Sequence, residues 1–185
     1  MKKAALTVIT LLFALAAALL PGARAEAKEL LGAGATFPFP FYSKLFDTYN
    51  QEKGVKVNYQ AIGSGGGIQQ LKAKTVDFGG TDAYMEDKEI TEAGAPILHV
   101  PTCLGAVVIT YNVPGDPAIK LTSNLIVDIF LGRIEKWNDK RIVDINPGIL
   151  LPDMNIATVH RSDGSGTTAI FSDYLSTVSA EWKER

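Results

Sequence analysis

Cysteine is almost missing from this sequence: its 185 residues include one, Cys103, so no disulfide can close within the chain. That cysteine lies in the apolar run "PTCLGAVVITY" and reads as a small buried side chain rather than a nucleophile. Histidine is nearly as scarce, with two residues, and no His, Asp and Glu cluster has metal-ligand spacing. A metal-dependent phosphatase is therefore not expected, and no cofactor or metal is implied. Internal repeats, low-complexity tracts and long linkers are lacking too. Positive charge is also in short supply, with 18 Lys and Arg against 20 Asp and Glu. Such a chain attracts neither nucleic acid nor an anionic membrane through its overall field. If it binds an anion, a local arrangement must hold it.

What is present begins with a distinctive N-terminus. A basic "MKK" precedes the uncharged run "AALTVITLLFALAAALL", and "PGARA" ends it with small residues at Ala23 and Ala25. This pattern predicts a secretory signal over residues 1–25, cleaved between Ala25 and Glu26. The run of about 17 residues is at the short edge for a bilayer span. No cysteine follows it to carry a lipid, so a soluble exported protein is expected, periplasmic in a two-membrane bacterium. Removing Lys2, Lys3 and Arg24 with that segment leaves 15 basic and 20 acidic residues, a net charge of −5.

Beyond the signal, strand-like and helix-like patterns alternate. "LLGAGAT" (30–36) reads as a short strand running into a glycine turn. In "FPFPFYSKLFDTYNQEKG", Phe37, Phe41, Leu45 and Tyr49 recur every four residues as one helix face, and Gly54 is a stop. The aromatic residues Phe37, Phe41, Tyr42, Phe46 and Tyr49 are expected mostly to pack a core. "VKVNYQA" puts Val55, Val57, Tyr59 and Ala61 on one side, "GIQQLKAKT" follows as a helix, and "VDFGGTDA" is a short strand. "LGAVVITYNV" (104–113) is a continuous apolar run without helical spacing, the pattern of a buried strand. Thr122 or Ser123 can cap a helix through "NLIVDIFLGRIEKW", with Leu125, Ile129 and Phe130 on one face. "NIATVHR" (155–161) is strand-like, and Ile170, Phe171, Tyr174, Leu175 and Val178 form a helical stripe in "SGTTAIFSDYLSTV". The alternation favours an α/β architecture.

One motif recurs. "GAGATFP", "IGSGGGI" and "RSDGSGTT" each place glycine and hydroxyl residues between a strand-like run and a helix. Glycine allows close backbone approach, and the free N–H groups of a helix's first turn, with its dipole, bind anions without net positive charge. In open α/β folds such turns converge at the carboxyl ends of the strands. A hydrolase is the competing reading, because His160, Asp163 and Ser165 lie within six positions. Neighbours on one short turn rarely form a nucleophile–base–acid relay, and "DGSGT" lacks the G-x-S-x-G elbow. A serine hydrolase or phosphatase is thus the weaker alternative.

The motifs "GAGATFPFPFY", "VNYQAIGSGGGIQQL", "TVDFGGTDA", "GRIEKWND", "NPGILLP" and "HRSDGSGTTAIFSDYL" resemble, in order, the periplasmic phosphate-binding receptors of ABC importers. The likeness runs from about Leu31 to the end of the chain. It implies a type II periplasmic-binding-protein architecture with a ligand cleft between two α/β lobes, here about 26–104 and 105–185. The second lobe would be the N-terminal part of a whole one, and the first would lack a returning segment. The implied ligand is phosphate, delivered to membrane permease subunits by a monomeric receptor. Carried over motif by motif, Thr36 and Phe37 donate, the latter through its backbone N–H, and Ser64 supplies its hydroxyl and N–H. Asp82 is the acceptor, and Arg161, Asp163, Ser165, Gly166 and Thr167 line the opposite wall, while His160 receives no role.

Chemistry gives the implied acceptor a purpose. Phosphate near neutral pH keeps a proton and sulfate does not, so a buried carboxylate can accept from P–OH but only repels sulfate. Asp163 is expected to pair with Arg161 and hold its guanidinium fork. A sulfate or molybdate carrier is the other alternative within the binding class.

Overall fold

The computed structural model describes residues 29–185. The expected signal segment and its cleavage point lie outside them. Three parallel strands form the sheet: β1 (Glu29–Gly34) in the centre, with β2 (Lys56–Ala61) and β3 (Phe78–Gly80) on its two sides. Parallel neighbours need crossover connections. Helix α1 (Phe39–Lys53) leads from β1 to β2, and α2 (Ser64–Lys72) from β2 to β3. Pro38 opens α1, and Gly54 ends it at φ 65°, the left-handed conformation that suits a glycine stop.

The centre of this sheet is packed by small residues. Ala33 and Ala35 are fully buried, and the α2 helix lies so close that a Cβ on Gly67 would sit 2.5 Å from Gly34 Cα and 2.6 Å from the Ala33 carbonyl oxygen. Aromatic rings cover the strands elsewhere. Tyr42 meets Tyr59 edge-on with centroids 5.1 Å apart, and Phe46 and Phe78 extend the cluster. The face of α1 that packs is therefore Tyr42 and Phe46, not the expected stripe: Phe37, Phe41, Leu45 and Tyr49 all remain more than 40% exposed. Both stripes repeat every four residues, and it is the second, with Tyr42 and Phe46, that meets the rings on the sheet.

A short helix, α3 (Asp87–Glu92), opens with a reciprocal capping box between Glu86 and Glu89. The second group of elements is helical: α4 (Ser123–Phe130), α5 (Lys140–Val143), α6 (Gly166–Val178) and α7 (Ala180–Glu184). Its core is aliphatic, built from Leu125, Ile129, Ile134, Ile142 and Leu151. Thr122 caps α4, accepting from the Leu125 N–H at 3.3 Å. This helix stops well short of Trp137, because Gly132 takes a left-handed φ of 74° and the Arg133 and Ile134 N–H groups both turn back to the Asp128 carbonyl.

Two expected strands do not form. Residues 104–113 have no regular structure, and Leu104 is fully exposed. Cys103, expected inside, is exposed with them. Residues 155–161 contribute only an isolated antiparallel bridge between Asn155 and Lys136. Apolarity alone does not make a strand, which exists only where another backbone pairs with it. Among the described residues no strand pairs with 104–113, whose one backbone bond is a turn from the Asp116 N–H to the Val113 carbonyl. Its first part, Leu104 to Val107, instead borders a cleft of about 760 Å³ that Phe46, Phe78 and Leu71 also line.

Candidate functional site

Because the three strands run parallel, their carboxyl ends share one edge, and each delivers a different group to it. From β1 comes the Ala35–Thr36–Phe37 turn. The first bonds of this turn run from Phe39 N–H to the Thr36 carbonyl and from Tyr42 N–H to the Pro38 carbonyl. The Thr36 and Phe37 N–H groups thus stand ahead of the α1 ladder as donors. From β2 comes Gly63, at φ 86°, which turns the chain so that Ser64 starts α2 as a buried residue, 4% exposed. From β3 comes Asp82, whose N–H donates to Ser64 Oγ at 3.2 Å.

The second group faces this edge with one segment, residues 160–168. Ser165 is buried and caps α6, accepting from the Thr168 N–H at 3.2 Å. Gly166 and Thr167 follow as its first turn. Thr167 Oγ1 donates to Asp82 Oδ2 at 2.9 Å. A Cβ on Gly166 would come within 2.4 Å of Ser64 Oγ and 2.9 Å of Asp82 Oδ2, so only glycine fits between the two walls. Arg161 spans the gap as well: Nη1 donates to Thr36 Oγ1 at 2.7 Å, while Nε and Nη2 grip both oxygens of Asp163.

Ser64, Asp82, Gly166 and Thr167 thus form one set of contacts and Thr36, Arg161 and Asp163 another, and Gly63, where a Cβ would lie 2.6 Å from Asp163 Oδ2 and 3.2 Å from Arg161 Nη2, brings the two sets side by side. Ser165 adjoins them through its cap, and Phe37 reaches the rim by its backbone while its ring turns towards Gly105. His160 is tied to its neighbour, with Nδ1 3.0 Å from the Arg161 carbonyl oxygen. Ser165 Oγ is engaged by the Thr168 N–H rather than by an imidazole.

The electrostatics divide the site into a neutralised rim and an unsatisfied centre. The Arg161 hydrogen bonds hold the Asp163 carboxyl below its ordinary range, and Asp163 raises Arg161 in turn, so both stay charged. Asp163 thus fixes the fork and offsets its charge. At the centre, Asp82 Oδ2 is paired with Thr167, but its Oδ1 is buried with no hydrogen-bond partner among the described residues. A buried carboxylate oxygen without a donor is costly, and a donor brought by a water or a ligand would relieve it.

Tyr59 was not among the residues singled out by the sequence, and it supports the site from behind. Its hydroxyl donates to the Ala35 carbonyl at 2.9 Å. In a trans peptide the C=O and N–H point opposite ways, so this bond aims the Thr36 N–H away from Tyr59. Burial first, then nearby Tyr42 and Asp82, push the Tyr59 phenol far above its usual value and keep it a neutral donor. The alternation of β2 put Tyr59 on the inner face, but nothing in the sequence tied it to Ala35.

The curated relatives point the same way. "Phosphate-binding protein PstS" of Xylella fastidiosa (strain 9a5c) is 51% identical over 161 residues, 85% of this chain and 43% of that protein. Its namesake in Haemophilus influenzae is 47% identical, covering 87% of this chain and 48% of its own length. The chain spans less than half the length of these curated relatives. Among solved structures, a putative phosphate ABC transporter substrate-binding protein with bound phosphate from Clostridium perfringens superposes with a TM-score of 0.60 at 24% identity. The superposition covers 80% of this chain and 56% of that one, and it speaks for a shared fold. The family model of the PBP superfamily domain matches residues 21–184, and with this α/β fold and its cleft between strand ends and helix starts, the chain belongs to that superfamily.

Proposed function

We propose that this chain binds inorganic phosphate outside the cytoplasm and serves as the receptor part of an ABC importer, handing the ion to membrane permease subunits. The observation that carries the reading is the buried Oδ1 of Asp82, without a partner among the described residues, beside two hydroxyls that touch Asp82: Ser64 Oγ, which accepts from the Asp82 N–H, and Thr167 Oγ1, which donates to Oδ2. Monohydrogen phosphate brings both things such a site lacks: oxygens for the donors and one P–OH for the acceptor. Sulfate brings only oxygens, and its approach would set two acceptors together. Thr36 and Phe37, Ser64, Arg161, Ser165, Gly166 and Thr167 donate, Asp82 accepts, and Asp163 holds Arg161 in place. The names of the curated relatives support phosphate as the ligand.

The two groups of elements, about 26–104 and 105–185, act as lobes that close on the ion. Residues 1–25 export the chain and are then removed. Binding rather than turnover is the task, since Ser165 Oγ accepts from the Thr168 N–H and His160 is bound to the Arg161 carbonyl. Calorimetry of the full chain with phosphate, sulfate and molybdate near pH 7.5 tests the reading. Saturable phosphate binding with sulfate weaker by about a thousandfold or more is expected. Equal affinities for the three ions, or saturable hydrolysis of a phosphomonoester, would overturn it.

A further inference from the structure

Gly65 and Gly164 touch where the two walls meet, one in the first turn of α2 and the other just before the α6 cap. The Gly65 N–H donates to the Gly164 carbonyl at 2.7 Å. A Cβ on Gly65 would lie 3.0 Å from Gly164 Cα and 3.2 Å from its oxygen, and one on Gly164 would lie 3.0 Å from Gly65 Cα. Those obstacles are backbone atoms, which cannot swing aside as a side chain does.

Neither position needs glycine for its own conformation. Gly63 does, at φ 86°, whereas Gly65 and Gly164 both lie outside the left-handed region and any residue could adopt their backbone. Within α2, glycine is even a poor choice, because alanine is the better helix former. What these two glycines permit is the approach of one wall to the other. The hydrogen bond they make also occupies one of the free N–H groups that a helix start otherwise leaves to water.

We propose that Gly65 and Gly164 form a backbone latch between the two walls, and that this latch, which touches no ligand atom, sets how long the bound anion is retained. The inference rests on the phosphate reading above and adds a retention device to it. Opening the site must break this bond together with those from Arg161 to Thr36 and from Thr167 to Asp82, and it is the one of the three made by main chain alone, next to Ser64 and Ser165, the buried hydroxyls of the site. Gly65 and Gly164 are positioning residues: an added methyl group holds the walls a few tenths of an ångström apart and removes the bond without removing any donor to the ion.

The test loads the full chain with radiolabelled phosphate, chases it with unlabelled phosphate, and follows release, alongside thermal unfolding and amide exchange. Gly65→Ala and Gly164→Ala are each expected to speed release about tenfold, the loss of roughly one hydrogen bond. The ligand-free unfolding midpoint of Gly65→Ala should stay level or rise, since helix propensity favours alanine. A purely structural role would instead lower it. The double variant should release no more than about threefold faster than either single one, because both remove the same contact. Unchanged release in either variant, or effects that multiply in the double one, would overturn the latch. If the wild-type chain holds no phosphate, the phosphate reading fails by itself, and the latch is judged by exchange at the Gly65 amide. Protection in the wild type that is lost in Gly164→Ala supports it, and equal exchange in the two overturns it.

Discussion

The two walls of the cleft are packed by opposite means. On the sheet side the space between β1 and α2 is taken by main chain, with Ala33, Gly34 and Gly67 in contact. On the helical side it is filled by branched side chains, with Ile134, Ile142 and Leu175 the largest fully buried. The difference follows from what each wall presents. Glycine and alanine let a helix start come right up to the strand ends, which aims N–H groups and the Ser64 hydroxyl at one spot. The price is a β1–α2 contact with little apolar area of its own, so the sheet side leans on the rings of Tyr42, Phe46, Tyr59 and Phe78, whereas the aliphatic side supplies a conventional core on which one turn, residues 160–168, is mounted. The sheet wall should therefore suffer from added atoms and the helical wall from deleted ones, with the acceptor that discriminates between anions on the first.

The largest effect expected is on selectivity. Asp82→Asn replaces an acceptor-only oxygen pair by an amide that can also donate, so sulfate no longer meets two bare acceptors. Competition binding should show the phosphate-over-sulfate preference narrowing by on the order of a thousandfold. An unchanged preference would place the discriminating group elsewhere, and with it the contrast between the walls.

Stability then probes the packing itself. Ile142→Ala empties a site that is 0% exposed and should cost about 3 kcal/mol in denaturant unfolding. Gly67→Ala does the reverse. Its methyl would enter a gap in which Gly34 Cα lies 2.5 Å away and the Gly80 carbonyl oxygen 3.0 Å, so the helix must back off the sheet. Despite the better helix propensity of alanine, we expect a loss of about 2 kcal/mol. If Gly67→Ala proves neutral, the sheet wall has slack, and its glycines are not there for close approach.

How much of this was legible in the sequence depended on where the information sits. The glycine–hydroxyl turns, the Gly54 stop, the alternation of Val57, Tyr59 and Ala61, and the helix over 166–178 are local signals, and each stands as expected. The set Thr36, Ser64, Asp82, Arg161, Asp163, Gly166 and Thr167 came from the family resemblance, and these residues do come together, as two sets of contacts side by side. What failed was non-local. Hydropathy at 104–113 reports apolar side chains but not whether a backbone partner exists, and Cys103 followed the same error. The face of α1 was missed by one position because two stripes of equal period run along it, and only the contact with the rings on the sheet chooses between them. Gly65 and Gly164 lie in glycine turns that the sequence marks, but nothing local pairs them with each other: that meaning lies in a contact between turns far apart in the chain.

The smallest effect concerns acid, and it belongs to the helical wall. Asp139 caps α5 through the Arg141 N–H at 2.9 Å and clasps the Arg141 guanidinium at Nε and Nη2. The Arg141 side chain, and after it the Arg141 backbone N–H, lower this carboxyl from 3.8 to about 2. A carboxyl whose folded value is depressed stabilises the fold fully above its unfolded value and loses that contribution as pH falls towards the folded one. The stabilisation should therefore be whole at pH 5 and fade between about pH 4 and 2. In Asp139→Asn the side-chain amide can still cap α5 but carries no charge. This variant should unfold at a slightly lower temperature than the wild type at pH 5 and converge on it near pH 2. Thermal melts across that range decide the matter, since two curves that stay parallel would mean the charge of Asp139 contributes nothing to the wall it caps.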